Sequence, residues 1–455
     1  MSILLAIAFS ATPSALAADP LLMDAGPQGT SVHKLANGLT VILQEDHRTD
    51  TVALHIRYGV GAHDEKLGEH GCAHLFEHLM FEGSAHVGMN KFDEWLTAAG
   101  GENNAFTSDD QTAYHMTFPS GAKDLALFLD SDRLGWLLDG VTQGNLDNQR
   151  MVVLQERAEG YEQPNGRDWD ALQTLMYDPT NPYHVPVIGT VAEVQGFQIP
   201  AVHGFFKAHY RPGNAVLVLV GNFETAAMLA SVDSWFGSIP DAGPIEPRAV
   251  WKEGVVAAHD GFLEDSVEQR TVYLAWPSVP LGHKDAPALD LLGYVLSGGR
   301  GTRLDDAMYF DKNLATDEGA FPYAMDAEGM FIVYATAPKK PLTKLASVAE
   351  SVIADVITTP PTAAELDRAK RQYKADLLDP LETLESRAEW LADCQFYDGR
   401  PDCLADRWKK IDAVTSDDLV RVTQTYLTPE RRTSLSIVPK GDTGMMPGAD
   451  VVELP

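Results

Sequence analysis

The chain has 455 residues, more than one ordinary hydrophobic core accommodates, so we expect two or more domains. Its composition, 45% hydrophobic and 22% charged, is that of a soluble globular protein. The 35 basic and 65 acidic residues give a net charge of −30, which disfavours nucleic acid as a partner because phosphates would be repelled. An acidic surface fits cationic peptides, and plain solubility explains it at least as well.

The N-terminus has the pattern of an export signal. Ile3 to Phe9 form a short apolar run, and Ala15-Leu16-Ala17 supplies a small-x-small cleavage pattern, although no Lys or Arg precedes the run. We predict a signal peptide over residues 1–17. No other stretch approaches the ~18–20 apolar residues that a membrane span needs. The chain is therefore expected to be an exported, soluble, periplasmic protein without a membrane span.

Three cysteines are too few for a disulfide scaffold. Cys394 and Cys403 bracket a polar turn and can pair in an oxidising compartment. Cys72 lies among small and apolar residues, so we expect a buried thiol there.

Two segments, one before mid-chain and one near the C-terminus, follow the same plan. In each, an amphipathic helix ends on a tyrosine, a proline marks a break, and a buried strand follows. The first runs from Val202 through Tyr210 to the strand Ala215–Val220, and the second from Leu419 through Tyr426 to the strand Thr433–Val438. This similarity predicts that the chain contains two related halves.

A segment rich in Gly, Pro and Asp, Gly237 to Pro247, indicates a linker between the halves. We predict a zinc-binding peptidase domain at 18–240, a linker at 241–252 and a homologous domain at 253–455. Strand patterns and long helical patterns are grouped rather than strictly alternating, which predicts α+β halves with mostly antiparallel sheets. The predicted strands are Thr40–Gln44, Thr51–Tyr58 and Arg270–Trp276, and the predicted helices include Lys123–Leu138 and Leu146–Tyr161.

The segment from Gly71 to Phe81 contains the order His-x-x-Glu-His at His74, Glu77 and His78. On a helix the two histidines lie about 40° apart on one face and can bind one ion. Two imidazoles and a carboxylate suit Zn²⁺, with a position left open for water, so we expect one zinc ion per chain. Glu77 lies beside the same ion and can act as general base toward that water.

His70 shares the spacing of this pair but is flanked by Gly68 and Gly71. We expect the helix to start after this turn, which directs His70 elsewhere.

The third ligand must come from another part of the chain. A second predicted helix offers Glu156, and Glu159 one turn later is an equal candidate by periodicity alone. Val152 and Val153 are expected to bury one stripe of this helix.

Three motifs, in order, resemble those of the pitrilysin-type (M16) peptidases, the inverted zincins, and most closely M16B members such as the processing peptidases. The matching residues are Gly71, His74, Glu77, His78, Phe81 and Gly83 in the first motif; Gly100, Gly101, Asn104, Ala105, Thr107, Thr112 and Tyr114 in the second; and Gln149 to Arg157 in the third. The resemblance picks Glu156 as the third ligand.

The resemblance implies two homologous α/β-sandwich halves, the processing-peptidase-like metallohydrolase fold, and a metalloendopeptidase that works in a closed chamber formed with a homologous subunit. Peptide substrates in this family add a strand to a sheet edge. The residues implied for substrate binding are Asn104, Ala105, Phe106, Thr107 and Arg303.

Two positions depart from the family pattern. Gln149 stands where a Glu is frequent, seven residues before Glu156, so the surroundings of the metal differ. Thr316 stands where a Tyr that contacts substrate is frequent, whereas Arg303 is kept. We therefore expect a heterodimer whose partner supplies the Arg and Tyr, with a homodimer as the alternative.

The competing functions are a non-catalytic structural subunit and a metal-storage or peptide-binding module. Non-catalytic family members usually lose part of the His-x-x-Glu-His set, which is complete here. Gly298-Gly299-Arg300-Gly301 lacks the Lys-Ser/Thr pair of a phosphate loop, so we interpret it as a turn.

Overall fold

Two six-stranded sheets, one in each half of the chain, form the framework of the protein. The structure is a computed structural model and describes residues 29–241, 243, 259–310 and 313–455. The predicted signal peptide at 1–17 lies outside these residues, and so does nearly all of the predicted linker at 241–252. The domain boundaries therefore stay a prediction.

The first half contributes six strands and eight α-helices to the described residues. The strands are β1 (Thr30–Lys34), β2 (Thr40–Glu45), β3 (Thr51–Tyr58), β4 (Glu102–Thr107), β5 (Thr112–Pro119) and β6 (Ala215–Gly221). The helices are α1 (Cys72–Leu79), α2 (Lys91–Ala98), α3 (Lys123–Gly140), α4 (Gln143–Glu162), α5 (Asp168–Met176), α6 (Val191–Gly196), α7 (Ile199–His209) and α8 (Thr225–Phe236).

The second half contributes six strands and seven α-helices to the described part of the chain. The strands are β7 (Asp260–Asp265), β8 (Arg270–Ser278), β9 (Asp317–Ala324), β10 (Gly329–Ala337), β11 (Thr433–Pro439) and β12 (Asp450–Val451). The helices are α9 (Ala286–Ser297), α10 (Arg303–Asp305), α11 (Leu342–Thr358), α12 (Ala363–Leu378), α13 (Leu384–Asp398), α14 (Leu404–Ala413) and α15 (Ser416–Tyr426).

Five strands of each sheet repeat one topology, and the sixth differs, because β1 is antiparallel to β2 whereas β12 is parallel to β7. The first has the order β1-β2-β6-β3-β5-β4 and the second the order β12-β7-β11-β8-β10-β9. In the first, β2 and β6 are parallel and the strands from β6 to β4 are antiparallel to their neighbours. In the second, β7 and β11 are parallel and the strands from β11 to β9 are antiparallel. The predicted duplication and the mostly antiparallel sheets are confirmed.

In each half, one helix packs against the sheet of the other half. α13 of the second half packs Ala388, Leu391 and Ala392 on the outer face of the first sheet, against residues that include Val216 and Val218. Both faces of β6 are thereby covered, which explains why all seven of its residues are buried and why its sequence is continuously apolar.

In exchange, α5 of the first half covers one face of the second sheet. Its residues Leu172 and Met176 belong to a buried cluster with Leu263, Ile332 and Leu435 from three strands of that sheet. The two halves therefore share their hydrophobic cores, and each depends on the other for burial of its sheet.

Cys394 and Cys403 are disulfide-bonded, and the bond ties the end of α13 to the residue before α14. Cys72 is a buried free thiol, as its neighbours predicted. No helix in the described part of the chain is long and apolar enough to span a membrane.

Candidate metal centre

The helix α1 begins at a tight turn that only glycine accommodates. Gly71 precedes it with φ of 93°, and a Cβ atom there would lie 2.8 Å from the carbonyl oxygen of Ile188. The buried carboxylate of Glu65 accepts hydrogen bonds from the backbone N–H groups of Gly71 (2.8 Å) and Ala73 (2.7 Å). Glu65 thus satisfies donors at the start of α1 that have no partner within the helix.

The apolar face of α1 fixes the direction in which the histidines point. Leu75, Phe76 and Leu79 are fully buried in the core of the first half. His74 and His78 consequently share the opposite edge of the helix, with ring centroids 4.9 Å apart and ring planes at 79°. This is the arrangement that the i, i+4 spacing predicted.

His70 lies before the helix and points away from this pair. Its Nδ1 is 2.7 Å from the carboxylate of Glu193 on α6. The expectation that His70 is not a ligand agrees with this position.

The helix α4 brings Glu156 to the two imidazoles. The carboxylate oxygens of Glu156 lie 3.2 Å from Nε2 of His78 and 3.8 Å from Nε2 of His74. Glu159, the other candidate, instead accepts a hydrogen bond from Gln155 at 2.7 Å.

Of the two valines on α4 that were expected to be buried, one is buried. Val153 is fully buried, whereas Val152 is 41% exposed, so the expectation for Val152 was wrong. Val152 lies on the same side of α4 as Glu156, which is one turn further on, so the buried stripe of α4 is narrow.

These three side chains fit a zinc ion. One ligand atom from each lies within 4.8 Å of the others. Tetrahedral zinc with bonds of about 2.0–2.1 Å separates its ligand atoms by about 3.3 Å, so small side-chain adjustments suffice. Two imidazole nitrogens and a carboxylate oxygen, with no fourth protein ligand among the described residues of this cluster, are the donor set of an open catalytic zinc site.

The protonation states also favour metal binding. Burial lowers the pKa of His74 to about 4, and repulsion from His78 adds to the effect. The His74 ring is therefore neutral at neutral pH, the form that can donate a lone pair. The hydrogen bond with His78 lowers the pKa of the Glu156 carboxyl, which keeps that ligand ionised.

Glu77 lies next to this cluster and is held by a residue of the neighbouring sheet edge. The hydroxyl of Thr107 donates to a carboxylate oxygen of Glu77 at 2.7 Å. Burial raises the pKa of Glu77, and the Thr107 hydrogen bond and the nearby His78 offset part of that rise. A carboxylate with a raised pKa beside an open metal position is suited to accept and return a proton.

The strand that carries Thr107 forms the edge of the first sheet. β4 is the outermost strand and pairs on one side with β5. The implied substrate residues Asn104, Ala105, Phe106 and Thr107 all lie on it. The implied substrate residues therefore lie on an edge strand, as strand addition requires.

The substituted position Gln149 faces a carboxylate. Its side-chain amide donates to Glu82 at 2.5 Å, and Gln149 is buried. A Glu at 149 would bring a second negative charge against Glu82, so the neutral amide matches its neighbour in this chain. The sequence pattern gave no signal for Glu82 or Glu65, because both act through contacts that the metal motif does not contain.

Arg303 and Thr316 lie in the second half and have partners there. The Arg303 guanidinium donates to Glu365 at 2.8 Å and to the carbonyl oxygen of Thr359 at 2.9 Å. The Thr316 hydroxyl donates to the side chain of Gln269 at 2.6 Å. The structure thus groups Arg303 with Glu365 rather than with the histidine pair, and its implied contact with substrate stays a prediction.

The described residues of the second half contain no counterpart of the metal cluster. α9 occupies between β8 and β9 the place that α1 occupies between β3 and β4, and it contains no His or Cys. The other metal-like group among the described residues is Cys394, Asp398 and Cys403, whose thiols are consumed by the disulfide.

Comparison with known proteins assigns both halves. Residues 40–183 match the family described as Insulinase (Peptidase family M16), and residues 197–373 match the Peptidase M16 inactive domain. The chain belongs to peptidase family M16. The match in the first half contains His74 and Glu156. The match to the inactive domain contains α9, the counterpart helix, which has no His.

Curated M16 relatives are similar over nearly the whole chain. The zinc protease PqqE of Helicobacter pylori is 27% identical over 418 residues, which cover 89% of this chain and 92% of PqqE. The uncharacterized zinc protease YmxG of Bacillus subtilis is 23% identical over 384 residues, which cover 84% of this chain and 90% of YmxG.

Solved M16-type structures have the same fold. A protease from Helicobacter pylori superposes with a TM-score of 0.83 at 25% identity, covering 90% of this chain and 99% of that one. The periplasmic protease PqqL of Escherichia coli gives a TM-score of 0.78 at 18% identity, covering 93% of this chain but 49% of PqqL. At that identity, the likeness to PqqL concerns the fold alone.

Proposed function

We propose that this M16 chain is a zinc-dependent endopeptidase in which His74, His78 and Glu156 hold the metal and Glu77 is the general base. The observation that supports this most directly is the convergence of two imidazoles and a carboxylate, with ligand atoms within 4.8 Å of one another, beside a fourth side chain that can carry a proton. The names of the relatives, zinc proteases, agree with this proposal.

The chain's own residues supply the remaining chemistry. A zinc ion bound by the three ligands would polarise the peptide carbonyl and acidify an attacking water. Glu77 would accept the proton of that water and pass it to the leaving nitrogen, and Thr107 would hold the Glu77 carboxylate in place. The open edge of β4 would bind the substrate backbone as an added strand, with Asn104 to Thr107 in contact with it.

The substrate class follows from this mode of binding. Strand addition uses main-chain hydrogen bonds, so we expect peptides or unstructured polypeptides of varied sequence. A net charge of −30 favours basic segments among them.

The cellular setting and the partner are part of the same proposal. We infer export to the periplasm, which suits the disulfide between Cys394 and Cys403. We also infer a homologous subunit that closes the chamber and supplies the Arg and Tyr pair, since this chain has Thr316 at the Tyr position. If the purified chain alone cleaves peptides as fast as every reconstituted mixture, the partner is unnecessary.

Four Glu→Gln variants test the enzyme proposal with zinc analysis and quenched-fluorescence peptides of unstructured, basic sequence. Glu77→Gln should keep one zinc per chain and lose turnover by about 10²–10⁴-fold. Glu156→Gln should lose the zinc, whereas Glu159→Gln on the same helix and Glu94→Gln on the surface should keep both zinc and turnover.

Two results would contradict the proposal. Undiminished turnover in Glu77→Gln would remove its role as base and favour the alternative, a non-catalytic or peptide-binding subunit. Full zinc content in Glu156→Gln would remove that ligand.

A further inference from the structure

The second half of the chain donates hydrogen bonds to a turn next to the metal centre, and we call this set of hydrogen bonds the clasp. The turn is the 108–111 turn, Ser108–Gln111, which follows the edge strand β4 directly. It carries two adjacent aspartates, Asp109 and Asp110, which are 3% and 5% exposed. Two neighbouring carboxylates that are buried in a turn require hydrogen-bond donors from elsewhere in the protein.

Those donors come from both halves. Gln173 of the first half donates to one oxygen of Asp109 at 3.1 Å, and the Tyr323 hydroxyl of the second half donates to the other at 3.1 Å. The backbone N–H of Asp326, also in the second half, donates to Asp110 at 3.0 Å. The hairpin of β9 and β10 thus contacts the 108–111 turn through two direct hydrogen bonds, one from Tyr323 on β9 and one from Asp326 in the turn that follows.

Tyr183 adds a bridge between the 108–111 turn and the β9–β10 hairpin. Its hydroxyl donates to Asp110 at 2.8 Å and accepts a hydrogen bond from the backbone N–H of Ala327 at 3.1 Å. The ring of Tyr183 stacks on His63 with 4.9 Å between centroids.

Two connections lead from the 108–111 turn to the metal centre. The first is Thr107, the residue immediately before the turn, whose hydroxyl holds Glu77. The second runs through the loop that precedes α1. Ala62 and His63 donate their backbone N–H groups to the carbonyl oxygens of Ser108 (3.2 Å) and Asp109 (2.7 Å).

That loop continues directly into the residue that caps the metal helix. Glu65, two residues after His63, accepts from the N–H groups at the start of α1. No Cβ fits at Gly61, where it would lie 2.5 Å from the carbonyl oxygens of Ser108 and Asp109. The loop and the turn are therefore packed too closely to move independently.

We propose that the second half, which has no metal cluster of its own among the described residues, positions the catalytic edge of the first half through the hydrogen bond from Tyr323 to Asp109. Tyr323 is then a positioning residue for Glu77, acting through the 108–111 turn and Thr107. This proposal rests on the proposed function for its kinetic consequence, but the clasp itself is a property of the chain without metal.

The test compares Tyr323→Phe with Tyr273→Phe in the full chain. Tyr273 is a matched control because its hydroxyl also joins the second sheet to an aspartate of the first half, Asp168, at 3.0 Å, without contacting the 108–111 turn. Both variants should lose similar thermal stability. Tyr323→Phe alone should lower kcat on the basic quenched-fluorescence peptides by roughly tenfold, with KM within about twofold of the parent value, because it misplaces the base and leaves the strand edge available.

Hydrogen exchange of the metal-free chain gives a second readout that does not depend on activity. Amides of residues 102–111 should exchange faster in Tyr323→Phe and at the parent rate in Tyr273→Phe. Equal kcat values for the two variants, or unchanged exchange at 102–111 in Tyr323→Phe, would overturn the proposal. A parent chain that binds zinc but turns over no peptide would defeat the proposed function, while the exchange experiment would still decide whether the clasp exists.

Discussion

The residues with a proposed catalytic or metal-binding role are held in place by neighbours that lie outside the metal motif. Spacing on α1 was enough to predict that His74 and His78 share an edge, because helix geometry fixes it. The choice between Glu156 and Glu159 could not come from spacing, since the two lie one turn apart on α4. The resemblance chose Glu156, and folding brings that residue to the imidazoles.

Thr107 is the neighbour with the clearest expected effect. Its hydroxyl donates to Glu77, and it lies on the edge strand that we propose binds substrate. Sequence reasoning marked Thr107 for substrate binding and missed this contact, because β4 and α1 are separated along the chain.

We predict that Thr107→Val lowers kcat by roughly tenfold and leaves the zinc content unchanged, because the Glu77 carboxylate loses the donor that orients it. Valine keeps the branched shape that a strand accommodates. Thr117→Val is the matched control, since Thr117 donates to Glu102 at 3.0 Å across the same two strands. Steady-state kinetics with metal analysis checks this, and an equal loss in both variants would assign Thr107 a purely structural role.

At the scale of elements, the sequence predicted where α1 begins but not what caps it. Glycines around His70 correctly predicted that α1 begins after Gly71. The cap was not predictable, because Gly71 has no side chain to cap with and the capping carboxylate comes from Glu65, outside the usual capping position. The sequence also failed to predict which face of α4 is buried: Val152 was expected to be buried and is 41% exposed.

Loss of the Glu65 carboxylate should loosen the start of α1. In Glu65→Ala, the N–H groups of Gly71 and Ala73 lose their acceptor in a buried place, which costs about 1–3 kcal/mol of stability. Because His74 is one residue beyond Ala73, zinc affinity should fall as well, by about tenfold. Glu69→Ala in the same loop is the control. Denaturant unfolding and chelator competition measure the two effects, and unchanged zinc affinity in Glu65→Ala would show that the cap does not position His74.

At the scale of the molecule, the sequence predicted the duplication but not the exchange of helices between the halves. The repeated helix–tyrosine–proline–strand plan correctly indicated β6 and β11 as equivalent strands. Nothing in that plan indicates that α13 covers the first sheet and α5 the second, because burial by a distant helix and burial by a nearby one produce the same apolar pattern.

The exchange also buries charge between the halves. Arg57 of β3 is fully buried, forms an ion pair with Asp393 of α13, and lies over the rings of Phe396 (4.2 Å) and Tyr397 (4.5 Å). The guanidinium is thereby matched by a carboxylate and two aromatic faces that only the second half supplies. We infer that the halves unfold together, because separation would expose both cores and leave this charge unpaired.

Asp168 of α5 gives this shared interface a defined pH dependence. Burial raises its pKa to about 6, although Asn165 and Tyr273 donate to the carboxylate and oppose the rise. With a pKa of about 3.9 in the unfolded chain, the folded state binds more protons between pH ~4 and ~6. The contribution of Asp168 to stability is therefore greatest at the acid end of that window and is lost as the pH rises through it.

Asp168→Asn removes this titration, so its stability relative to the parent should improve as the pH rises from 4.5 to 7.5, by about 2 kcal/mol. The amide keeps an oxygen for Asn165 and Tyr273 to donate to, and its NH₂ replaces the carboxylate oxygen that has no hydrogen-bond partner among the described atoms. Asp355→Asn on the exposed side of α11 should show no such trend. Denaturant unfolding of the three proteins across the pH range measures the difference. A flat difference between Asp168→Asn and the parent would mean that Asp168 is ionised in the folded protein throughout, and that the interface accommodates its charge.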